Sequence, residues 1–140
     1  MNSSKSVIVK WREVEGIKTA FGSEVKMLLH PSLIDVQRDA SVLWVTLPPG
    51  SSTGRHDHPA QGEYEYIVSG TGVLEAGQDT IQVEPMMLVF NPPGLEHNVS
   101  NTGKEIMYLL RFHVPSLPPG DPKENLIGKC IEAARRSKAY

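Results

Sequence analysis

The sequence predicts an all-β fold, a barrel or sandwich of short strands, followed by one short helix. The chain has 12 glycines and 11 prolines in 140 residues, against usual shares of about 7% and 5%. Short runs of β-branched and aromatic residues alternate with clusters of Gly, Pro, Asn or Ser at nearly even intervals, which is typical of many short strands. Closure into a barrel would also remove the open edges of such strands.

The predicted strands follow one another through the middle of the chain, and each ends at a turn signal such as Pro48-Pro49-Gly50. The residues from 80 to 83 are expected to pair with those from 73 to 76 across a short turn. Two further runs, 7–11 and 25–29, are possible flanking strands. The predicted central strands are 42–47, a run that ends at His58, 63–68, 73–76, 80–83, 87–90, a stretch around 97–99, and 105–114.

The length suits one domain, which we divide into three segments. Residues 1–40 are an N-terminal flanking segment with edge strands, 41–115 are the barrel core, and 116–140 are a helical tail packed on the barrel or on a partner subunit. Apolar residues recur in the tail at helical spacing, and basic residues at its end complement the helix dipole. The apolar set is Leu126, Ile127, Cys130, Ile131 and Ala134, and the basic set is Arg135, Arg136 and Lys138.

Charge and cysteine content exclude several classes of protein. The formal net charge is −2, so no overall basic field would attract nucleic acid or an anionic membrane. Cys130 is the only cysteine, which rules out an intramolecular disulfide and fits a reducing cytoplasm. No apolar run approaches the ~20 residues of a membrane span, and the first ten residues lack the apolar stretch of a signal peptide. We therefore expect a cytoplasmic protein.

Three of the five histidines stand in a pattern typical of a metal site. His56 and His58 are two residues apart, and side chains at that spacing on a strand share one face. The turn at 59–62 then reverses the chain, so Glu63 is expected near His58. His97 follows a Pro-Gly turn and could supply a fourth ligand. Imidazoles and a carboxylate together suit a transition metal with open positions. The alternative to a metal site is a set of exposed strand histidines with an acidic neighbour by chance. The presence of a third histidine, His97, favours the metal site.

These residues resemble the two motifs of the cupin superfamily. The first motif is Gly50-(five)-His56-x-His58-(four)-Glu63-(six)-Gly70, and the second is Pro92-x-Gly94-(two)-His97-(three)-Asn101. One position departs from the pattern, because Met86 stands where the family usually has glycine. The resemblance implies a small double-stranded β-helix (jelly-roll) barrel, commonly dimeric, with His56, His58, Glu63 and His97 as metal ligands.

Other residues are expected to line the pocket or to serve the fold. Strand alternation places Glu65 on the same face as Glu63, where it is a candidate acid or base, unless a bulge turns it to solvent. On 105–114 the more apolar set is expected to face the barrel, which makes Tyr108 a substrate-binding residue. The reverse parity would turn Arg111 and His113 inward. Packing roles are expected for Trp11, Trp44 and Cys130, a surface position for His30, turn conformations for Gly50, Gly70 and Gly94, and a turn cap for Asn101.

By resemblance, the protein is expected to hold one divalent transition metal per chain (Fe, Mn, Ni or Zn, with Fe or Mn favoured) and to act on a small oxygen-rich molecule. A dioxygenase-type oxidoreductase is favoured because the family's dioxygenases share the same ligand set. Lyase, isomerase or decarboxylase chemistry and non-catalytic binding of a small ligand are the alternatives. The expected partners are a small-molecule substrate and a second copy of the chain.

Overall fold

The computed structural model describes residues 6–34 and 39–137, in which two antiparallel sheets and one helix form the fold. The larger sheet has the strand order β1-β2-β3-β9-β4-β7, and the smaller has β6-β5-β8. The strands are β1 Ile17–Lys18, β2 Glu24–Leu29, β3 Ser41–Leu47, β4 Gly62–Ser69, β5 Gly72–Ala76, β6 Asp79–Val83, β7 Leu88–Asn91, β8 His97–Asn101 and β9 Met107–Val114. A 3₁₀ turn spans Trp11–Glu13, and the helix α1 spans Leu126–Arg136.

The predicted all-β architecture with a C-terminal helix is confirmed, and most predicted strands match within one or two residues. The 7–11 prediction is wrong, since no strand forms there and Trp11 begins the 3₁₀ turn. Its indole stacks on Trp44 with ring centroids 4.6 Å apart, so aromatic packing rather than strand pairing holds this segment. The run ending at His58 makes only isolated bridges, one of them between His56 and His97. Lys138 lies outside the described residues.

The inner faces of the two sheets enclose the core, and β9 lies in the middle of the larger sheet. β9 pairs with β3 on one side and β4 on the other. The burial pattern along β9 shows that the predicted inward orientation of Tyr108 is wrong. Arg111 and His113 point inward and are buried, whereas Tyr108 is only partly buried. The Tyr108 ring lies on the outer side against Trp11 and Trp44, at centroid distances of 5.3 and 5.5 Å. The largest fully buried apolar side chains are Met27, Leu43, Leu47, Ile67, Met107 and Leu109.

Helix α1 packs against β2 and β1. Asn125 caps its first turn by accepting a hydrogen bond from the Gly128 backbone N–H at 3.1 Å. The Cys130 thiol is buried 3.6 Å from the Val25 carbonyl, and burial raises the pKa of this thiol to about 12. Cys130 is therefore an unreactive core residue, as predicted. Among the described residues, no helix has both the length and the apolarity that a bilayer crossing requires.

The expectation that His30 is a surface residue is wrong. Its side chain is buried at the end of β2. The Ser32 backbone N–H donates to Nδ1 at 3.0 Å, so Nε2 carries the proton and donates to the Leu117 carbonyl at 2.8 Å. His30 thus ties the segment after β9 to the end of β2, a contact between residues 87 positions apart.

Turn residues behave as predicted. Gly50, Gly70 and Gly94 all have φ between +82° and +85°, a region that side chains with a Cβ resist. The Asn101 amide donates to the carbonyls of Leu47 and Glu105 at 2.7 and 2.8 Å. These bonds hold the loop between β8 and β9 in place.

Candidate metal centre

The barrel interior brings together the four residues predicted as metal ligands. Glu63 pairs with His113 of β9 and with Asn91 of β7, which turns its carboxylate inward and buries it completely. His97 begins β8 and exchanges two backbone hydrogen bonds with His56, at 3.1 and 2.8 Å. Their imidazole centroids lie 4.5 Å apart. His56 and His58 converge although neither lies on a regular strand.

The geometry of this cluster fits a cation. One ligand atom from each of His56, His58, Glu63 and His97 lies within 4.8 Å of all the others. Ligand atoms at ~2.1 Å from an ion are roughly 3–4 Å apart, so a small inward shift completes the site. Nε2 of His97 lies 2.9 Å from Glu63 Oε2, and Nε2 of His58 lies 3.5 Å from Oε1. Both nitrogens are buried without hydrogen-bond geometry to any described residue, as expected of lone pairs directed at an ion.

Backbone carbonyls select the imidazole tautomer that a metal requires. His56 Nδ1 lies 2.6 Å from the Gly54 carbonyl, and His97 Nδ1 lies 2.8 Å from the Leu95 carbonyl. A carbonyl only accepts, so each Nδ1 carries the proton and each Nε2 keeps a free lone pair. Burial, together with the charge of Arg111, lowers the pKa of His56 to about 4. That imidazole is therefore neutral and able to bind a metal at neutral pH.

Several donors orient the Glu63 carboxylate. Asn91 Nδ2 donates to Oε2 at 2.9 Å, His113 Nε2 donates to Oε1 at 2.9 Å, and Arg111 Nε lies 3.3 Å from Oε1. Burial alone would raise the pKa of Glu63, but the Arg111 charge and the hydrogen bond from His113 hold it well below its usual value. Glu63 is therefore an anion at neutral pH. Our sequence reasoning did not identify Asn91, although its place directly before Pro92 was a usable signal.

His97 and His113 respond differently to the same carboxylate. Burial would lower the pKa of His97, but the adjacent Glu63 carboxylate outweighs burial and raises it. For His113, burial dominates and lowers the pKa to about 4 despite the contact with Glu63. His113 is thus a neutral imidazole that donates to Glu63 from Nε2. Its Nδ1 is buried without a hydrogen-bond partner among the described residues.

Glu65 faces the interior, as predicted, and pairs with Arg111. Its register with Arg111 on β9 and Val89 on β7 is regular, so no bulge turns it to solvent. Arg111 donates to Glu65 Oε1 from Nε at 2.9 Å and from Nη2. Burial raises the pKa of Glu65, the Arg111 charge opposes that rise, and the Glu63 charge adds to it. Its Oε2 has no hydrogen-bond partner among the described residues.

Tyr108 does not reach this site, which overturns its predicted role as a hydroxyl donor in the pocket. A cavity of about 320 Å³ lies beside the cluster, and its lining includes His56, His58, Arg111 and His113. The alternative orientation of β9, in which Arg111 and His113 point inward, is therefore the correct one, and both residues line the cavity.

Comparisons with known proteins find both similar sequences and similar structures. An uncharacterised protein from Methanocaldococcus jannaschii is 26% identical over 115 residues, covering 82% of this chain and 91% of that protein. An oxalate-binding protein from Thermotoga maritima is 37% identical over 57 residues, covering 41% of this chain and 47% of that protein. The crystal structure of a predicted oxalate decarboxylase from Thermotoga maritima superposes with a TM-score of 0.68 at 27% identity, covering 78% of this chain and 99% of that one.

The model of the cupin domain family matches residues 43–113, which include all four candidate ligands, the whole of β4 and most of β3 and β9. The match spans half of the chain, and the similar structures share its jelly-roll architecture. The chain therefore belongs to the cupin family and is a small cupin whose His-His-Glu-His cluster could hold a metal.

Proposed function

We propose that the protein is a divalent-metal enzyme acting on a small, anionic, oxygen-rich molecule, with His56, His58, Glu63 and His97 as the ligands. The observation that carries this proposal is the convergence of four ligand atoms within 4.8 Å beside a cavity. Four protein ligands leave two positions open on an octahedral ion. Iron and manganese are the favoured metals, since the carboxylate and imidazoles together suit both.

When bound, the ion would supply Lewis acidity toward substrate oxygens and, if it is iron, oxidation chemistry with dioxygen. The residues around it have distinct roles. Arg111 lines the cavity and attracts a substrate carboxylate, and together with a divalent ion it outweighs the charges of Glu63 and Glu65. Glu65 holds or releases a proton in the interior. His113 keeps Glu63 oriented toward the ion.

A dioxygenase reaction is the form of this activity that we favour, with lyase, isomerase or decarboxylase chemistry as the alternative. The support for the dioxygenase is the resemblance of the ligand set to that of cupin dioxygenases. A second candidate function is binding of a small ligand without turnover. The similarity to an oxalate-binding protein favours that candidate, although the alignment covers 47% of that protein.

The test of the metal centre is metal analysis of protein purified without added metal. We expect about one equivalent of a divalent transition metal per chain, and loss of that metal in Glu63→Gln and His97→Ala. His30→Gln is the matched control, since His30 is also a buried histidine but lies outside the cluster. An unchanged metal content in both ligand variants would contradict the proposed site.

The reaction class is tested by oxygen uptake with small diketones, phenols and carboxylates. Oxygen consumption that disappears in His56→Ala supports the dioxygenase, and turnover of the same panel without oxygen supports the alternative chemistry. Full metal occupancy with no turnover in either condition would favour the binding function.

We also propose that the protein works in the cytoplasm as a homodimer. The buried, unpaired thiol of Cys130 fits a reducing compartment. The dimer is supported by an apolar outer face on the larger sheet, where Tyr64, Val68, Leu88 and Phe90 are all exposed. Monomeric proteins rarely leave such a patch uncovered.

A further inference from the structure

The cavity beside the candidate metal cluster is lined by two chemically different groups of side chains. The polar group comprises imidazoles of the cluster with Arg111 and His113, and also Thr19, Ser23, Thr53, Arg55 and Asp57. The apolar group, called the apolar wall below, comes from β2, β3, the segment after β9 and the first turn of α1. These side chains are Val25, Leu43, Val45, Leu117, Leu126 and Ile127.

Most of the apolar wall lies outside the region that matches the cupin family model. That match covers residues 43–113, whereas Val25 precedes it, and Leu117 and the first turn of α1 follow it. Phe21, at the same cavity, also precedes it. The wall is therefore a feature of the flanking segments of this chain, in contrast to the metal cluster inside the family match.

The size of the cavity exceeds what a compact polar ligand would fill. Its volume of about 320 Å³ corresponds to roughly ten water molecules at ~30 Å³ each. A bare two-carbon dicarboxylate on the ion would leave most of that space to water in contact with apolar side chains. Such hydration is unfavourable, so a ligand with an apolar part gains free energy by displacing the water.

We propose that the natural ligand is amphipathic, with a carboxylate or enolate head and a branched aliphatic or aromatic body. The head binds the ion and Arg111, and the body packs against Leu126, Ile127 and the strand residues of the apolar wall. This inference rests on the proposed metal function, because the ion supplies half of the head's binding partners. It sets the ligand apart from oxalate, which has a head at each end and no apolar body.

A series of 2-oxocarboxylates that share one head tests this inference. The probes are glyoxylate, pyruvate, 4-methyl-2-oxopentanoate and phenylpyruvate, titrated calorimetrically without oxygen into protein loaded with Mn²⁺. Burial of each methylene adds ~0.8 kcal/mol, or about fourfold in affinity. We therefore expect 4-methyl-2-oxopentanoate, with three more carbons, to bind roughly 60-fold more tightly than pyruvate if the added carbons are fully buried.

Substitutions in the apolar wall test its contribution to affinity separately from that of the ion and Arg111, which bind the head. In Leu126→Ser we expect pyruvate to bind as in the wild type and the gain from the longer tail to fall at least fourfold. Ile81→Ser is the matched control, since Ile81 is 46% exposed against 38% for Leu126 and lies on β6 away from this cavity. Phe21→Ser is a second variant of the wall if Leu126→Ser does not fold.

The outcomes distinguish this inference from the metal function. Equal affinity across the series, with pyruvate still bound, overturns the amphipathic ligand and leaves the metal centre standing. A tail-dependent gain that survives in both wall variants also overturns it. Failure of the wild-type protein to retain Mn²⁺, measured before any probe is added, overturns the metal function and this inference together.

Discussion

At the scale of single residues, Met86 shows a conflict between side chain and backbone. It has φ +72°, in the left-handed region that glycine adopts freely. Its backbone N–H donates to the Ile67 carbonyl at 2.8 Å, so β4 holds the turn before β7 in that conformation. The glycine expected at this position would accommodate the positive φ of Met86 without strain.

Replacement of Met86 by glycine is therefore expected to stabilise the protein. The left-handed conformation costs a residue with a Cβ ~1–2 kcal/mol of folding free energy. Glycine avoids that cost but destabilises the folded state by ~0.4–1 kcal/mol, because its unfolded chain has more conformational entropy. The side chain is 81% exposed, so little packing is lost. We expect Met86→Gly to raise the free energy of unfolding by roughly 0.5–1 kcal/mol in urea denaturation.

Met87→Gly is the control, since this neighbour does not have a positive φ. Glycine there relieves no left-handed backbone and also removes the contact of the Met87 sulfur with the Glu84 backbone N–H, so it should destabilise the protein by at least ~0.5–1 kcal/mol. A loss of stability in both variants would contradict a strained backbone at Met86.

At the scale of elements, α1 connects the stability of the tail to the shape of the cavity. Its first turn carries Leu126 and Ile127, which line the cavity, and Asn125 caps that turn. Its buried side, with Cys130 and Ile131, packs on the barrel. One short helix therefore packs on the core and supplies part of the cavity lining.

Removal of the cap should weaken both properties. Asn125→Ala leaves the Gly128 N–H without its acceptor, and loss of such a cap costs ~1 kcal/mol of stability. We expect chemical denaturation to show that loss, and 4-methyl-2-oxopentanoate to lose more affinity than pyruvate. Asn125→Asp keeps a capping oxygen and should behave like the wild type. Equal stability of the alanine and aspartate variants would show that the cap contributes nothing.

At the scale of the whole molecule, the outer face of the larger sheet is apolar and uncovered by this chain's described segments. Tyr64 lies between Phe90 and Phe112, and Tyr66 lies between Leu88 and Leu110. No charged side chain lies on this part of the face, so it can meet its own copy around a two-fold axis without like-charge repulsion. Tyr64 and Phe90 are 41% and 51% exposed, so at ~200 Å² per aromatic side chain they leave roughly 180 Å² uncovered, to which Val68 and Leu88 add further apolar surface.

We expect sedimentation equilibrium to show a dimer for the wild type and a monomer for Phe90→Glu, because the substitution places two like charges near the two-fold axis. Phe21→Glu is the matched control, since Phe21 is 56% exposed against 51% for Phe90 and lies at the cavity. A monomeric wild type, or a dimer that only Phe21→Glu breaks, would contradict an interface on this face.

The sequence alone predicted the strand-rich architecture and the grouping of the four candidate metal ligands. Turn residues at even spacing mark where short strands end, and the tight turn at 59–62 places His58 near Glu63 although His58 lies on no regular strand. His97 could be added because a second Pro-Gly turn marks another strand end. Local chemistry was sufficient for these features.

Only the tertiary structure decided which face of β9 lines the cavity, what orients Glu63 and what forms the apolar wall. Both faces of β9 are largely apolar, so alternation could not show that Arg111 and His113 turn inward. Their burial depends on carboxylates 46 and 50 residues away. The burial of His30 likewise depends on the distant Leu117 carbonyl. Interactions of this range are set by the packing of the sheets and the helix, which no local pattern in the sequence encodes.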